Sequence, residues 1–385
     1  MGILGPRNWP ALGNILDIKY NAVEKYRKWS KTFSAIAEAA KKTFRGSVRR
    51  LLMSEHVLPN TAGSTIGTSP FNESLKLRQK RAASALNEPT IATYINYIDL
   101  ETKDFDKDKF ASGRAGTDVV DPMPISMVSR HDPVFHEICE VVAAISRFRG
   151  SSQDHIPILR LNSFRFVTKS AEEYRGRRDV YLTRLNRDLD VKMEKRIHQP
   201  CIQTNIIYDK DAALNTTTTT LVPGIQNKAL REIRKLHPEE EPLAAAYDYR
   251  KCEYVAALVR ECLRFYTVLR LALPRAMVKD VVYEGKVIPT GSMIYLNAWA
   301  CNYRQCAGLY LANHEIYLVF LRMLSSFELV QDSEVDVHPV RGSADPTSLV
   351  TMCRHYKIIF KPRNEKALRE ALEAFDERLA EHEKA

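Results

Sequence analysis

Apolar and polar positions alternate with a helical period over most of the chain. Apolar residues recur at three- and four-residue spacing through Ser74 to Leu86, Asp132 to Arg147, Ala171 to Arg196, Ile225 to Leu236, Tyr254 to Leu273 and Gly308 to Ser326. That is the spacing of one face of an α-helix. A last segment, Glu365 to Ala385, sets Leu368, Leu372, Phe375 and Leu379 on one stripe and predicts an amphipathic surface helix. Strand signals are few. Val281-Val282-Tyr283, a Glu284-Gly285 turn, Val287-Ile288, Pro289-Thr290-Gly291 and Met293 to Leu296 read as one small meander, and Tyr356 to Phe360 as a further strand. Five consecutive β-branched threonines, Thr216 to Thr220, disfavour helix before Pro223. The opening Gly5-Pro6-Arg7-Asn8-Trp9-Pro10, with Leu12-Gly13-Asn14, is a stiff entry that resists helix until Lys19 to Ala40. No internal repeat interrupts this order, so the expected fold class is mainly α with a small β-sheet.

Length and composition narrow the picture. A chain of 385 residues holds two to three domains or one large one. With 45% hydrophobic and 27% charged residues it can bury a large core, which excludes a disordered chain. Its 15 glycines are about half the usual share, which reinforces the helical reading. The net charge of +10 is concentrated early: Lys19 to Arg50 holds ten basic residues against Glu24 and Glu38. Such a segment suits nucleic acid, an anionic membrane surface or an acidic protein partner, or is simply a solvated helix face. No nucleic-acid recognition motif accompanies the charge, which puts that partner last. Seven cysteines without disulfide-like or zinc-like spacing point to a reducing compartment. No signal-like opening and no run of roughly 18 apolar residues is present, so the chain as written reads as neither secreted nor membrane-spanning.

Two segments carry candidate chemistry. The apolar stretch from Tyr254 to Leu273 holds Arg260, Glu261 and Arg264 in its middle. Glu261 and Arg264 stand three apart and share a face, so they form either an ordinary intrahelical ion pair or part of a pairing with something opposite. Downstream, Asn302-Tyr303-Arg304-Gln305-Cys306-Ala307-Gly308 runs directly into a helix. A cysteine there is either buried filler or, biased toward thiolate by the free N–H groups of the helix start, a metal ligand. Gly308 allows close backbone approach, and Arg304 can pair with carboxylates of a ligand.

The order Glu-x-x-Arg, small sheet, Arg-x-Cys-x-Gly, helix resembles the cytochrome P450 family of haem-thiolate monooxygenases. The likeness extends over most of the chain. Gly5 to Ile18 is similar to the family's proline-rich hinge, Tyr26-Arg27-Lys28-Trp29-Ser30 to its first helix, and Leu273-Pro274-Arg275 through Asn297-Ala298-Trp299-Ala300 to the stretch after Glu-x-x-Arg. Thr68 to Asp108, Arg147 to Asn162, Arg177 to Asn186 and Val255 to Ala300 look most like fungal phenylacetate hydroxylases.

That resemblance implies a hinge at 1–18, one large haem domain at 19–363 and a C-terminal amphipathic helix at 364–385. Cys306 becomes the axial thiolate on the iron of haem b, whose electron donation favours O–O cleavage. Arg304 and Arg275 match positions that contact the haem propionates, and Glu261 with Arg264 matches the pair that buttresses the fold. The family's Trp-x-x-x-Arg haem contact falls on Leu75 and Gln79, leaving Arg78 or Lys80 as the substitute cation. The implied activity is hydroxylation of a small aromatic acid such as phenylacetate, with dioxygen and with electrons from NADPH through NADPH-cytochrome P450 reductase. The implied location is the endoplasmic reticulum surface with peripheral membrane contact, or the cytoplasm for the chain as written, and the basic segment becomes a docking surface for the reductase.

Departures from the family pattern are as informative. The oxygen-activating distal helix is expected between Leu214 and Pro223, where some eight residues are too few for a helix rising 1.5 Å per residue to cross a haem. The meander that precedes the haem loop is missing between Asn302 and Tyr303. Two further joins lie near 52–63 and 124–134. A haem-thiolate protein without catalysis, arising from a mis-drawn gene model or a decayed copy, is therefore the alternative reading, and no catalytic residue beyond the haem ligand is assignable.

Overall fold

The computed structural model describes residues 22–32, 48–50, 73–112, 117–118, 133–148, 166–194, 221–222, 224–237, 249–270, 275–283, 285–294, 298, 309–345, 351 and 353–384. The hinge at 1–18 and Thr216 to Thr220 lie outside them. In chain order the helices are α1 (Ala22–Thr32), α2 (Glu73–Ala85), α3 (Glu88–Ile91), α4 (Ile95–Ser112), α5 (Pro133–Phe148), α6 (Phe166–Glu194), α7 (Ile225–Leu236), α8 (Glu253–Phe265), α9 (Leu309–Ser326) and α10 (Glu365–Lys384). The strands are β1 (Val48–Arg50), β2 (Thr117–Asp118), β3 (Arg275–Met277), β4 (Val281–Tyr283), β5 (Lys286–Ile288), β6 (Met293–Ile294), β7 (Phe327–Gln331) and β8 (Lys357–Pro362). The mainly helical fold with a minor sheet component is as the sequence predicts.

Three corrections follow. The meander expected at 281–296 divides. β4 and β5 form a hairpin of their own, whereas β6 pairs antiparallel with β3, which also pairs with β1. The helix expected to run from Tyr254 to Leu273 stops at Phe265, because Tyr266 and the residues after it turn to bond another loop. And α4, eighteen residues long, was not signalled by hydrophobic period, because three polar residues, Thr102, Asp106 and Lys109, are buried on it.

The core is organised around α9. From Leu311 to Phe327 every residue is buried except Asn313 and Ser325, which are half-buried. A helix buried on all sides must be surrounded by other elements, and α3, α4, α7, α8 and β7 all pack against it. The chain then passes straight into β7, which pairs with β8, and β8 carries β2 on its other edge. Phe360 of β8 meets Phe327 edge-on at 5.6 Å and Phe105 of α4 at 6.5 Å, joining sheet to helix. Gln226 of α7 covers the free edge of β7. Its amide donates to the Leu329 carbonyl and accepts from the Leu329 N–H, both at 2.9 Å, as a neighbouring strand would. Asn364 then accepts from the Ala367 N–H at 3.1 Å and caps α10. Lys107 of α4 pairs with Asp376 of α10 at 2.7 Å, and Lys103 lies 5.5 Å over the Phe375 ring. A separate cluster forms between α5 and α6, where Phe135, Ile138, Val141 and Tyr181 are buried and Arg177 bridges Glu137 and Glu140.

A buried guanidinium inside α9 fixes the α4 register. Arg322, 1% exposed, ion-pairs with the Asp99 carboxylate and donates to the Asp99 carbonyl at 2.9 Å and to the Thr102 hydroxyl. Burial works against the Asp99 carboxylate, but Arg322 and Lys103 hold its pKa below the usual range. Asp106, one turn on, is fully enclosed. Burial pushes its carboxyl up to about 7 against the opposing pull of Arg322 and a bond from Ser326. Burial and then Asp104 push Glu101 up to about 8.

Carboxyls whose pKa is raised on folding bind more protons in the native than in the unfolded chain, so their penalty is absent below about pH 4 and grows as pH rises toward 7 to 8. Stability to urea should therefore fall between pH 5 and pH 8. Asp106→Asn should reduce that fall and exceed the wild type at pH 8 by about 1–3 kcal/mol, with the difference shrinking as pH falls and little left at pH 4. A variant that keeps the wild-type slope would place the titration elsewhere.

Candidate functional site

The residues that carry the candidate chemistry belong to α8 (Glu261, Arg264), to β3 (Arg275), to α2 (Lys80) and to the segment before α9, the last of which lies outside the described residues. Helix α8 owes its orientation to Val255, Leu258, Val259 and Cys262, which are buried against α7 and α9. At its start the Cys252 N–H donates to the Tyr317 hydroxyl of α9 at 2.9 Å, locking the two helices together. The opposite face carries Arg260, Glu261 and Arg264, all exposed. Arg264 donates to both Glu261 oxygens, one at 2.7 Å, and these bonds hold the Glu261 carboxyl below its usual range. Their side chains are 46% and 55% exposed, so the pairing is the ordinary intrahelical one.

Arg275 opens β3, the middle strand of its sheet, and its backbone stands opposite Arg50 of β1 and Ile294 of β6. Lys80 lies on α2 and is exposed, while Arg78 and Gln79 on the same helix are half-buried. Arg304, Cys306 and Gly308 lie outside the described residues, which resume at Leu309 with the first turn of α9. The structure thus brings Glu261 and Arg264 together, and sets the helix that follows the cysteine in the centre of the core. By residue type alone, a cysteine three positions before α9 is a donor that suits haem iron, and arginines are donors that suit propionates.

Hydrophobic period did not single out a second group of polar residues. Tyr249 stacks on His314 of α9 with ring centroids 3.8 Å apart and 16° between planes, and the Arg250 guanidinium lies 4.9 Å over the same tyrosine. Arg250 holds a left-handed backbone, φ 65°. Arg270 is 4% exposed, and burial pulls its pKa down to about 10. Both Arg270 and Arg322 carry a sequence signal: each is the lone charge in an apolar run, Tyr266 to Leu273 and Ile316 to Leu324.

Comparison with known proteins adds the lineage. The family model described as Cytochrome P450 matches residues 212–303. The chain is 42% identical to a 3-hydroxyphenylacetate 6-hydroxylase of Emericella nidulans, over 96% of this chain and 91% of that protein. It is 29% identical to a phenylacetate 2-hydroxylase of the same organism, over 96% and 92%. It is 26% identical to a cytochrome P450 monooxygenase of Mycosarcoma maydis, over 93% and 86%. The first of these alignments runs over 469 positions against 385 residues here, so at least 84 of its positions are filled by the relative alone.

The exposed Glu261–Arg264 pair should be worth little. Glu261→Ala and Arg264→Ala should each lower stability by no more than about 0.5 kcal/mol. Losses above about 2 kcal/mol in urea unfolding would show that the pair is bound into a larger network.

Proposed function

The chain belongs to the cytochrome P450 family, and on that premise we propose that it is a haem-thiolate monooxygenase that hydroxylates a small aromatic acid of the phenylacetate class. The observation that carries this reading is the 42% identity, across 96% of the chain, to a protein that acts on 3-hydroxyphenylacetate. Cys306 would hold the haem iron, with Gly308 admitting the macrocycle close to the backbone. Arg304, Arg275 and Lys80 would neutralise the propionates, and Glu261 with Arg264 would keep a structural role. When bound, the haem supplies oxygen activation with electrons delivered from NADPH through NADPH-cytochrome P450 reductase. The basic segment Lys19 to Arg50 would receive the acidic surface of that reductase at the endoplasmic reticulum membrane. No described helix is long and apolar enough to cross a membrane, so contact with the bilayer through these residues would be peripheral.

The unfilled alignment positions favour a second reading, a haem-thiolate protein that does not turn over. We place the missing pieces near 52–63, 124–134, 215–223 and between Asn302 and Tyr303. The family match runs from 212, a few residues before the third join, to 303, at the fourth. Loss of the segment after Asn302 would also account for the solvent exposure of Glu261 and Arg264, since the family's third member of that network lies in it.

Reduced chain treated with carbon monoxide should show a thiolate-shifted Soret band that Cys306→Ser abolishes. Incubation with phenylacetate, reductase and NADPH should then give a hydroxylated product. A band without product would establish the second reading, and the absence of any such band would contradict haem binding altogether.

A further inference from the structure

The loop that follows β7 is closed around one imidazole. His338 Nδ1 accepts from the N–H groups of Val340 at 3.1 Å and Arg341 at 3.2 Å. The His338 N–H donates to an Asp336 carboxylate oxygen at 2.9 Å, and its carbonyl accepts from the Gly342 N–H at 2.9 Å. A Cβ at position 342 would clash with the Asp336 carbonyl oxygen, so only glycine closes this loop without a shift. A ring nitrogen that accepts carries no proton, so the closed loop holds the imidazole neutral, with its N–H on Nε2. An imidazolium has donors on both nitrogens and no acceptor. His338 is exposed, so water can deliver that proton.

The closed loop holds down the turn that leaves α8. The Tyr266 hydroxyl donates to the Val337 carbonyl at 2.9 Å, and the buried Arg270 guanidinium donates to the Pro339 carbonyl. From the other side the Arg354 N–H donates to the Gly342 carbonyl at 2.9 Å and its Nε to the Ser343 carbonyl at 3.3 Å. Cys353 adds a backbone bridge to Ser343. The charges around the ring do not favour another cation. Arg270, Arg341 and Arg354 stand against the single carboxylate of Asp336, which Arg341 already engages at 3.4 Å. Burial pushes the Tyr266 phenol up, which keeps it neutral.

We propose that His338 is a pH-sensitive latch: with Nδ1 bare it closes the 336–342 loop on the turn after α8, and protonation of that nitrogen opens the loop. Both N–H bonds to the ring are then lost, and the Val337 and Pro339 carbonyls are released from Tyr266 and Arg270. From that turn the chain runs on to β3, so the latch steadies the link between the Glu261–Arg264 helix and the strand that Arg275 opens. It does not depend on the haem or substrate reading. Imidazoles take up a proton around pH 6.5. Because the closed loop excludes that proton, closure is full above this range and lost as pH falls through it. The core moves the other way, since Asp106 and Glu101 stabilise the fold in acid. A loop that loosens while the core firms is opening locally.

Hydrogen exchange on the full chain at pH 7.5 and pH 5.5, corrected for the pH dependence of chemical exchange, tests this. Protection of the amides at 340–342 should fall about fivefold or more at the lower pH. In His338→Asn the side-chain oxygen takes the place of Nδ1 and binds no proton in this interval, so protection should persist at both values. Unchanged wild-type protection overturns the latch, and so does an asparagine variant that loosens at pH 5.5 as the wild type does. Should that variant be unprotected at both values, the wild-type ring decides. In chain labelled with 15N-histidine, the resonance missing from the variant should report Nδ1 without a proton at pH 7.5 and gaining one as protection falls. A proton on Nδ1 at pH 7.5, or a titration outside the interval, overturns the proposal.

Discussion

A helix buried on every face has to be walled in on every side, and α9 imposes that constraint on the rest of this chain. Its run from Leu311 to Phe327 offers no solvent-facing stripe, so α4, α7, α8 and the β7–β8 sheet are disposed around it rather than beside one another. The constraint is chemical as well as steric. Arg322 in the middle of α9 cannot be left without partners in that interior, and Asp99 and Thr102 supply them from α4. The sheet and α10 then follow from where α4 must lie, through Phe105, Phe360, Lys107 and Asp376.

The same arrangement bears on the proposed chemistry. The cysteine segment feeds directly into the N-terminus of α9, so a thiolate there would be carried by the most enclosed element of the fold. The Glu-x-x-Arg helix packs on α9 through its apolar face and turns its charged face outward. That outward face is where an alignment with at least 84 unfilled positions and a family match that stops at Tyr303 become structurally meaningful. The core that packs α8 on α9 is described, and the chain that would cover α8 and close the distal side is the part we propose to be missing.

Much of this was legible in the sequence. Elements α5, α7, α9 and α10 appear where apolar residues recur at helical spacing, because their buried faces are made of Val, Ile, Leu and Phe. Helix α4 was not legible, since Thr102, Asp106 and Lys109 occupy its buried face and Lys109 lies over the Phe105 and Phe360 rings. Hydrophobic period cannot register a buried stripe made of polar side chains. The pairings of β1 with β3 and of β2 with β8 are short and join residues more than two hundred apart, so no local pattern announces them. In the candidate site, the Glu261 and Arg264 spacing gave their pairing correctly. Arg270 was hidden inside an apolar run read as helix, because the loop at 336–343 that claims the turn is distant in sequence.

Native-state hydrogen exchange on the full chain tests the central claim most directly. If α9 is the enclosed element around which the others are arranged, amides at 316–324 should exchange only by global unfolding, at a common free energy shared with the inner faces of α4 and α8 and above that of α6. Exchange of the α9 amides at the rate of the exposed α6 would contradict that organisation, and with it the support for a cysteine poised at the start of α9.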